Sequence, residues 1–195
     1  MHKMSEKKVI AITGTIGSGK SMVSSILSKN YPVIDCDQIN AKLLEKNEDG
    51  YNELIKLPWI ILDDNGNIDK KKMASSMFSN REYKEKVESI LHPLIFKKID
   101  EWKKNQSSSL IFVEVPILFE IQAQSHFDEI WCVSCDLDTA LNRLVKYRNF
   151  TYDEAMMRVK HQLDPEYKKK LSDVVILNDG SIADLEKQIN EILAR

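Results

Sequence analysis

Val9-Ile10-Ala11-Ile12-Thr13-Gly14-Thr15-Ile16-Gly17-Ser18-Gly19-Lys20-Ser21-Met22-Val23 begins as an apolar run, crosses a glycine-rich stretch and ends on the first residues of a helical pattern. Val9 to Thr13 has the length and β-branched content of a buried strand. From Gly19 to Ser28 the apolar residues Met22, Val23, Ile26 and Leu27 fall at helical intervals. Strand, loop and helix therefore follow one another, and the loop fits G-x-x-x-x-G-K-[ST]. Gly14, Gly17 and Gly19 let the backbone curl with its N–H groups inward, and the positive end of the following helix caps that nest. Phosphate oxygens are what such a nest holds. The expected contacts are Gly14, Thr15, Ile16, Gly17, Ser18, Gly19, Lys20, Ser21 and Met22. Lys20 reaches the β- and γ-phosphates as a mobile charge, and the Ser21 hydroxyl is placed to ligate Mg²⁺.

On the carboxyl side, Val33-Ile34 reads as a second strand leading into Asp35-Cys36-Asp37, and Ile39, Leu43 and Leu44 predict a helix stopping at Glu48-Asp49-Gly50. Asp63-Asp64-Asn65-Gly66-Asn67 is a turn cluster. Helices are expected over 69–78 and 80–103, the second with Pro93 placed to bend or reset it. After Ser107-Ser108-Ser109, Leu110 to Val113 is apolar on both faces, as a central parallel strand requires. Strands at 130–134 and 174–177 and helices at 138–147, 151–162 and 182–193 complete the pattern. The alternation predicts an α/β fold, a doubly wound five-stranded parallel sheet flanked by helices.

A chain of 195 residues, 43% of them hydrophobic, can bury one good core. Its formal charge of −2 gives no global basic field, so a nucleic-acid partner is not expected, while a small anionic ligand is still allowed. No apolar run approaches the roughly 18 residues of a membrane helix, and Met1 to Lys8 is polar with no signal-peptide core behind it. A cytoplasmic protein without membrane association is expected, and a monomer. Cys36, Cys132 and Cys135 are too few and too oddly numbered for a disulfide framework. The last two form C-x-x-C inside an expected strand, where an odd offset turns them to opposite faces, so buried inert thiols are expected.

The class of phosphate-loop protein follows from what accompanies the loop. A switch GTPase would carry a D-x-x-G after its metal strand and an [NT]-K-x-D guanine reader; no D-x-x-G follows the 110–113 strand and no [NT]-K-x-D occurs, and motor or transport ATPases are larger. Compact nucleoside and metabolite kinases remain, with ATP and Mg²⁺. Glu114, after the 110–113 strand, stands where such proteins keep an acid near the metal, either acting through a metal-bound water or as a plain strand-end carboxylate. Asp37, at the C-terminal edge of the second strand, is equally suited to be a catalytic base and to N-cap a helix. Three of the five arginines, Arg143, Arg148 and Arg158, fall on the helices before the last strand, where a lid belongs. Arg148 and then Arg143 are the expected phosphate contacts, Arg148 at the transferring group. Arg158, beside Asp153 and Glu154, is expected in a surface ion pair. The runs Lys70-Lys71-Lys72 and Lys168-Lys169-Lys170 are expected to be solvated helix faces. The expected organisation is one kinase domain over 1–195, with a core over about 8–60 and 106–195, a helical acceptor-binding insertion over about 61–105 and a lid over about 148–170.

Segments in order along most of the chain resemble the dephospho-coenzyme A kinases. They are Ile12 to Ser21, Val33-Ile34-Asp35-Cys36-Asp37, Leu91-His92-Pro93, Val115-Pro116-Ile117-Leu118-Phe119-Glu120 and Asp173-Val174-Val175-Ile176-Leu177-Asn178-Asp179-Gly180. Met22, Cys36 and Thr15 depart from the usual residues, and none of these changes removes a required functional group. The resemblance implies phosphorylation by ATP of the ribose 3'-hydroxyl of dephospho-coenzyme A, the last step of coenzyme A synthesis. It implies Asp37 as the base, an acceptor site including Asp35, Asp37, His92, Pro93 and Glu120, and Asn178 and Gly180 bordering the adenine. Another metabolite or nucleoside-monophosphate kinase, or a nucleotide sensor without turnover, is the alternative.

Overall fold

The computed structural model describes residues 7–195; the polar stretch 1–6, on which part of the signal-peptide reading rests, lies outside the described residues. The elements are β1 (Lys8–Gly14), α1 (Lys20–Leu27), β2 (Val33–Asp35), α2 (Cys36–Leu43), α3 (Asp49–Leu54), α4 (Lys70–Ser79), α5 (Arg81–Lys104), β3 (Leu110–Glu114), a 3-10 turn at Gln124–His126, β4 (Glu129–Ser134), α6 (Leu137–Arg148), α7 (Tyr152–Lys160), α8 (Pro165–Lys170), β5 (Val174–Leu177) and α9 (Ile182–Leu193). The five strands form one parallel sheet in the order β2-β3-β1-β4-β5. β1 lies at its centre, with Val9 opposite Ile111 of β3 and Ile12 opposite Trp131 of β4. The connection from β3 to β4 crosses over β1, so the topological switch point, where open α/β sheets take their ligands, falls at the C-terminal end of β1.

The central strands are apolar on both faces because helices cover both. On one face Ile10, Ile12, Phe112, Trp131, Val133 and Ile176 pack with Val23 and Leu27 of α1 and Leu185 and Ile189 of α9. Phe112 meets Trp131 edge-on at 5.3 Å between ring centroids, a preferred aromatic geometry. Helix starts are written locally: Thr151 with Glu154 and Ser181 with Asp184 form capping boxes that open α7 and α9. Asn149, left-handed at φ +55°, closes α6. Among the described residues no helix is long and apolar enough to cross a membrane.

The chain folds as two compact units, one running up to Ile34 and resuming over Ser107–Arg195, the other Asp35–Gln106. The second unit thus takes in 35–60, which the sequence reading placed with the core. Its interior explains why: Leu44, Tyr51 and Leu54 bury themselves with Ile68, Met73, Val87 and Leu91. Trp59 stacks on Tyr83, with ring centroids 4.2 Å apart.

Four local expectations need correction. Gly50 does not stop a helix; it lies inside α3, where a Cβ would stand 2.7 Å from the Leu43 carbonyl and 3.0 Å from Leu91. It is there because two helices approach it closely, not because the chain turns. Pro93 does not reset the helix: α5 continues past it, although proline cannot donate to the Ser89 carbonyl. The guanidinium of Arg158 lies 4.4 Å from the centroid of the Phe150 ring rather than on a carboxylate, a cation–π contact. Lys168, finally, is no solvated residue. It sits on α8, a helix as expected, but with its side chain 0% exposed.

The Lys168 ammonium is 2.7 Å from Glu120 and donates to the Pro116 carbonyl at 3.4 Å. This clamps α8 to the turn after β3. Lys168→Met keeps the volume and removes the charge, leaving the partly exposed Glu120 to turn toward water. We expect a loss of about 2 kcal/mol in urea unfolding; an unchanged midpoint would show that the pair contributes nothing to stability.

Candidate active site

The phosphate loop leaves β1 at Gly14 and enters α1 at Lys20. Gly19 holds φ +92° at the start of α1, and no side chain caps that helix. The first N–H groups of a helix have no intrahelical acceptor, so this end is built to receive an anion. The loop is gripped from behind. Asn178, just after β5, donates through Nδ2 to the Ser18 carbonyl at 2.9 Å. Arg143 on α6 donates to the carbonyls of Gly17 and Ser18, both at 3.4 Å, and to that of Asn178 at 2.8 Å. In a trans peptide the C=O and the next N–H point in opposite directions. Holding the Gly17 and Ser18 carbonyls therefore turns the N–H groups of Ser18 and Gly19 away from Arg143 and Asn178. Ser18 Oγ is buried without a hydrogen-bond partner among the described residues, so the loop retains unused bonding capacity. These features fit a polyphosphate.

Lys20 folds back over the loop, donating from Nζ to the carbonyls of Gly14 at 3.2 Å and Thr15 at 2.9 Å. Ser21 and Met22 are exposed in the first turn of α1. Glu114, buried at the end of β3 and in register with Ile12, accepts from Ser24 Oγ at 2.6 Å. Its carboxylate is thereby tied to α1 one turn beyond Ser21, and a hydroxyl and an acid so spaced suit a hard divalent cation held largely by phosphates.

Asp35 and Asp37 follow the C-terminal end of β2. Asp35 is the N-cap of α2, its carboxylate accepting from the Asp37 N–H at 2.8 Å. The capping role open to Asp37 in the sequence thus belongs to Asp35, and Asp37 stands exposed in the first turn of α2. His92, half-buried, and Pro93, exposed, lie on α5 in the same unit. Of the two arginines ranked for phosphate contact, Arg143 is the one against the loop. Arg148 is exposed at the last residue of α6 and makes no hydrogen bond or ion pair among the described residues. Glu120 is engaged by Lys168. Gly180 precedes the Ser181 cap of α9, and a Cβ there would meet Asp184 Oδ2 at 2.9 Å. Cys132 is buried in β4, whereas Cys135 follows the end of that strand and is half-buried, and burial raises both thiols above their ordinary range.

Two residues of this region carried no sequence signal. Lys168 was hidden in a lysine run, and Gln162 belongs to no motif, yet it hydrogen-bonds the phosphate loop at Ile16.

Gly19 admits no side chain. A Cβ would lie 2.1 Å from Asn178 Nδ2, and the positive φ adds its own strain. Gly19→Ala is expected to lower Tm by about 4 °C or more and to weaken ATP binding about tenfold or more, read by thermal melting and calorimetric titration. Wild-type affinity would mean that the Asn178 contact does not shape the loop.

A parallel sheet of this order, with a glycine-rich phosphate loop at the end of its central strand, defines a P-loop kinase. The chain matches the family described as dephospho-CoA kinase over residues 8–184. A dephospho-CoA kinase from Carboxydothermus hydrogenoformans is 38% identical over 192 residues, covering 96% of this chain and 93% of that one. A solved structure from Thermus thermophilus superposes with a TM-score of 0.85 at 30% identity, covering 97% of each chain. The solved dephospho-CoA kinase of Campylobacter jejuni does so at 0.69 and 28%, covering 96% of each. The chain belongs to the dephospho-CoA kinase family.

Proposed function

We propose that the chain transfers the γ-phosphoryl group of ATP to the ribose 3'-hydroxyl of dephospho-coenzyme A, giving coenzyme A and ADP, in the last step of coenzyme A biosynthesis. The observation that carries this reading is the phosphate loop, uncapped at α1 and gripped by Arg143 and Asn178, in a chain of this family.

Such a transfer passes through a loose, anionic transition state, so positioning and charge neutralisation do most of the work. The backbone N–H groups of 17–21 and the Lys20 ammonium hold the β- and γ-phosphates. Lys20 leaves the carbonyls of Gly14 and Thr15 to do so, exchanging neutral acceptors for anionic ones. Mg²⁺, when bound, supplies further neutralisation of the phosphate oxygens; Ser21 would hold it directly and Glu114 through water. Asp37 orients the acceptor hydroxyl and takes its proton, while Asp35, fixed by its cap, sets the start of α2. Arg143 and Asn178 act through the loop backbone, with the adenine beside Asn178 and Gly180. The unit 35–106, with His92 and Pro93, takes the acceptor, and the segment 148–170 is the lid that carries Arg148 to the transferring group. The chain works as a monomer in the cytoplasm, without a nucleic-acid partner.

The test is an ADP-release assay with ATP, Mg²⁺ and a panel of dephospho-coenzyme A, adenosine, AMP and shikimate, the product being identified by mass. Turnover confined to dephospho-coenzyme A is expected. Preference for another acceptor would overturn the substrate and keep the class, and binding of ATP without turnover would overturn both.

A further inference from the structure

Gln162 follows the C-terminal end of α7, and its Oε1 accepts the N–H of Ile16, the third residue of the phosphate loop, at 2.6 Å. Because the donor is a backbone N–H, the side-chain amide must present its oxygen to the loop, which settles its orientation. The backbone N–H of Gln162 donates in turn to the Val159 carbonyl at 3.2 Å, so the residue is still bonded into α7. The side chain of Ile16 is engaged by the same two helices: it packs against Leu141 and Leu144 of α6 and Ala155 of α7, together with Phe150, Met156 and Val159. Main chain and side chain of one loop residue are thus both fastened to the α6–α7 pair. Six residues beyond Gln162, the buried Lys168 secures the other end of the segment to the turn after β3.

We propose that Gln162 is a positioning residue for phosphoryl transfer: its amide pins the end of α7 to the phosphate loop at Ile16, setting the loop's curvature and the placement of the lid together. The proposal rests on the kinase reading above. A neutral acceptor suits this place, because it takes a backbone N–H without setting a negative charge beside the triphosphate. A carboxylate would keep the pin and repel the nucleotide, whereas an aliphatic side chain would lose the pin and repel nothing.

Gln162→Leu and Gln162→Glu separate these effects. In ¹⁵N-labelled protein without substrates, hydrogen exchange at the Ile16 N–H is expected to speed up about tenfold or more in the leucine variant and to stay near wild type in the glutamate variant. In steady-state assays the leucine variant is expected to lose about tenfold or more in kcat, with KM for dephospho-coenzyme A unchanged. The glutamate variant should keep kcat within a few-fold and raise KM for ATP about tenfold. A leucine variant with wild-type kcat would overturn the proposal. So would a parallel fall of kcat and Tm in both variants, since that is what mere structural support predicts. Unchanged Ile16 exchange in the leucine variant strikes the pin alone, whereas a wild-type chain inert toward dephospho-coenzyme A strikes the function, so the two failures are distinguishable.

Discussion

Lys20→Met is expected to reduce phosphoryl transfer about a thousandfold or more, while Tm moves by only a few degrees. The unbranched methionine occupies the same space and removes the charge. The fold loses the hydrogen bonds to the Gly14 and Thr15 carbonyls, among its contacts, each a modest net contribution. The reaction loses much more. Lys20 is the side-chain cation of the loop itself, and charge spreads over the γ-phosphoryl oxygens as the bond to ADP loosens. Because the interaction strengthens toward the transition state, kcat should fall further than ATP affinity does. ADP release under saturating ATP, compared with calorimetric ATP binding, reads the two effects separately. Near-normal turnover would remove Lys20 from the chemistry.

The second large effect is expected at Asp37. Asp37→Asn should cost about 10²- to 10⁴-fold in kcat, the usual contribution of a general base, with KM for ATP within a few-fold. Asparagine has almost the same shape, and the Asp37 contact that fixes the start of α2 is its backbone N–H to Asp35, which the substitution leaves in place. A structural explanation of lost activity would therefore need a change in melting, and none is expected. Retention of most of the wild-type kcat at saturating acceptor would show that the proton leaves by another route.

The parts of the molecule that could be read in advance are those whose physics is local. Val9 to Ser21 specifies a strand, an anion nest and a helix within a few residues, and β1, the loop and α1 stand there. The apolar run at 110–113 announced a strand buried on both faces, and it carried Glu114 to its end beside α1. The rest depended on neighbours distant in sequence. Gly50 looks like a stop until α2 and α5 are known to press on it. Lys168 cannot be told from Lys169 and Lys170 until Glu120 arrives from 48 positions away. Arg143 stands against the loop, as a phosphate contact would need, and its grip on the carbonyl oxygens of Gly17 and Ser18 had no signal in the sequence. On paper the N-cap role was open to Asp37, and only the backbone geometry gives it to Asp35.

The grip on the loop has a consequence for the order in which the protein becomes itself. Arg143 and Asn178, which hold the Ser18 carbonyl, follow it by 125 and 160 positions in sequence. A nascent polypeptide that has not yet extruded β5 and the residue after it carries the sequence of the loop without the clasp that shapes it. The nest is therefore complete only once β5 and the residue after it have joined the sheet.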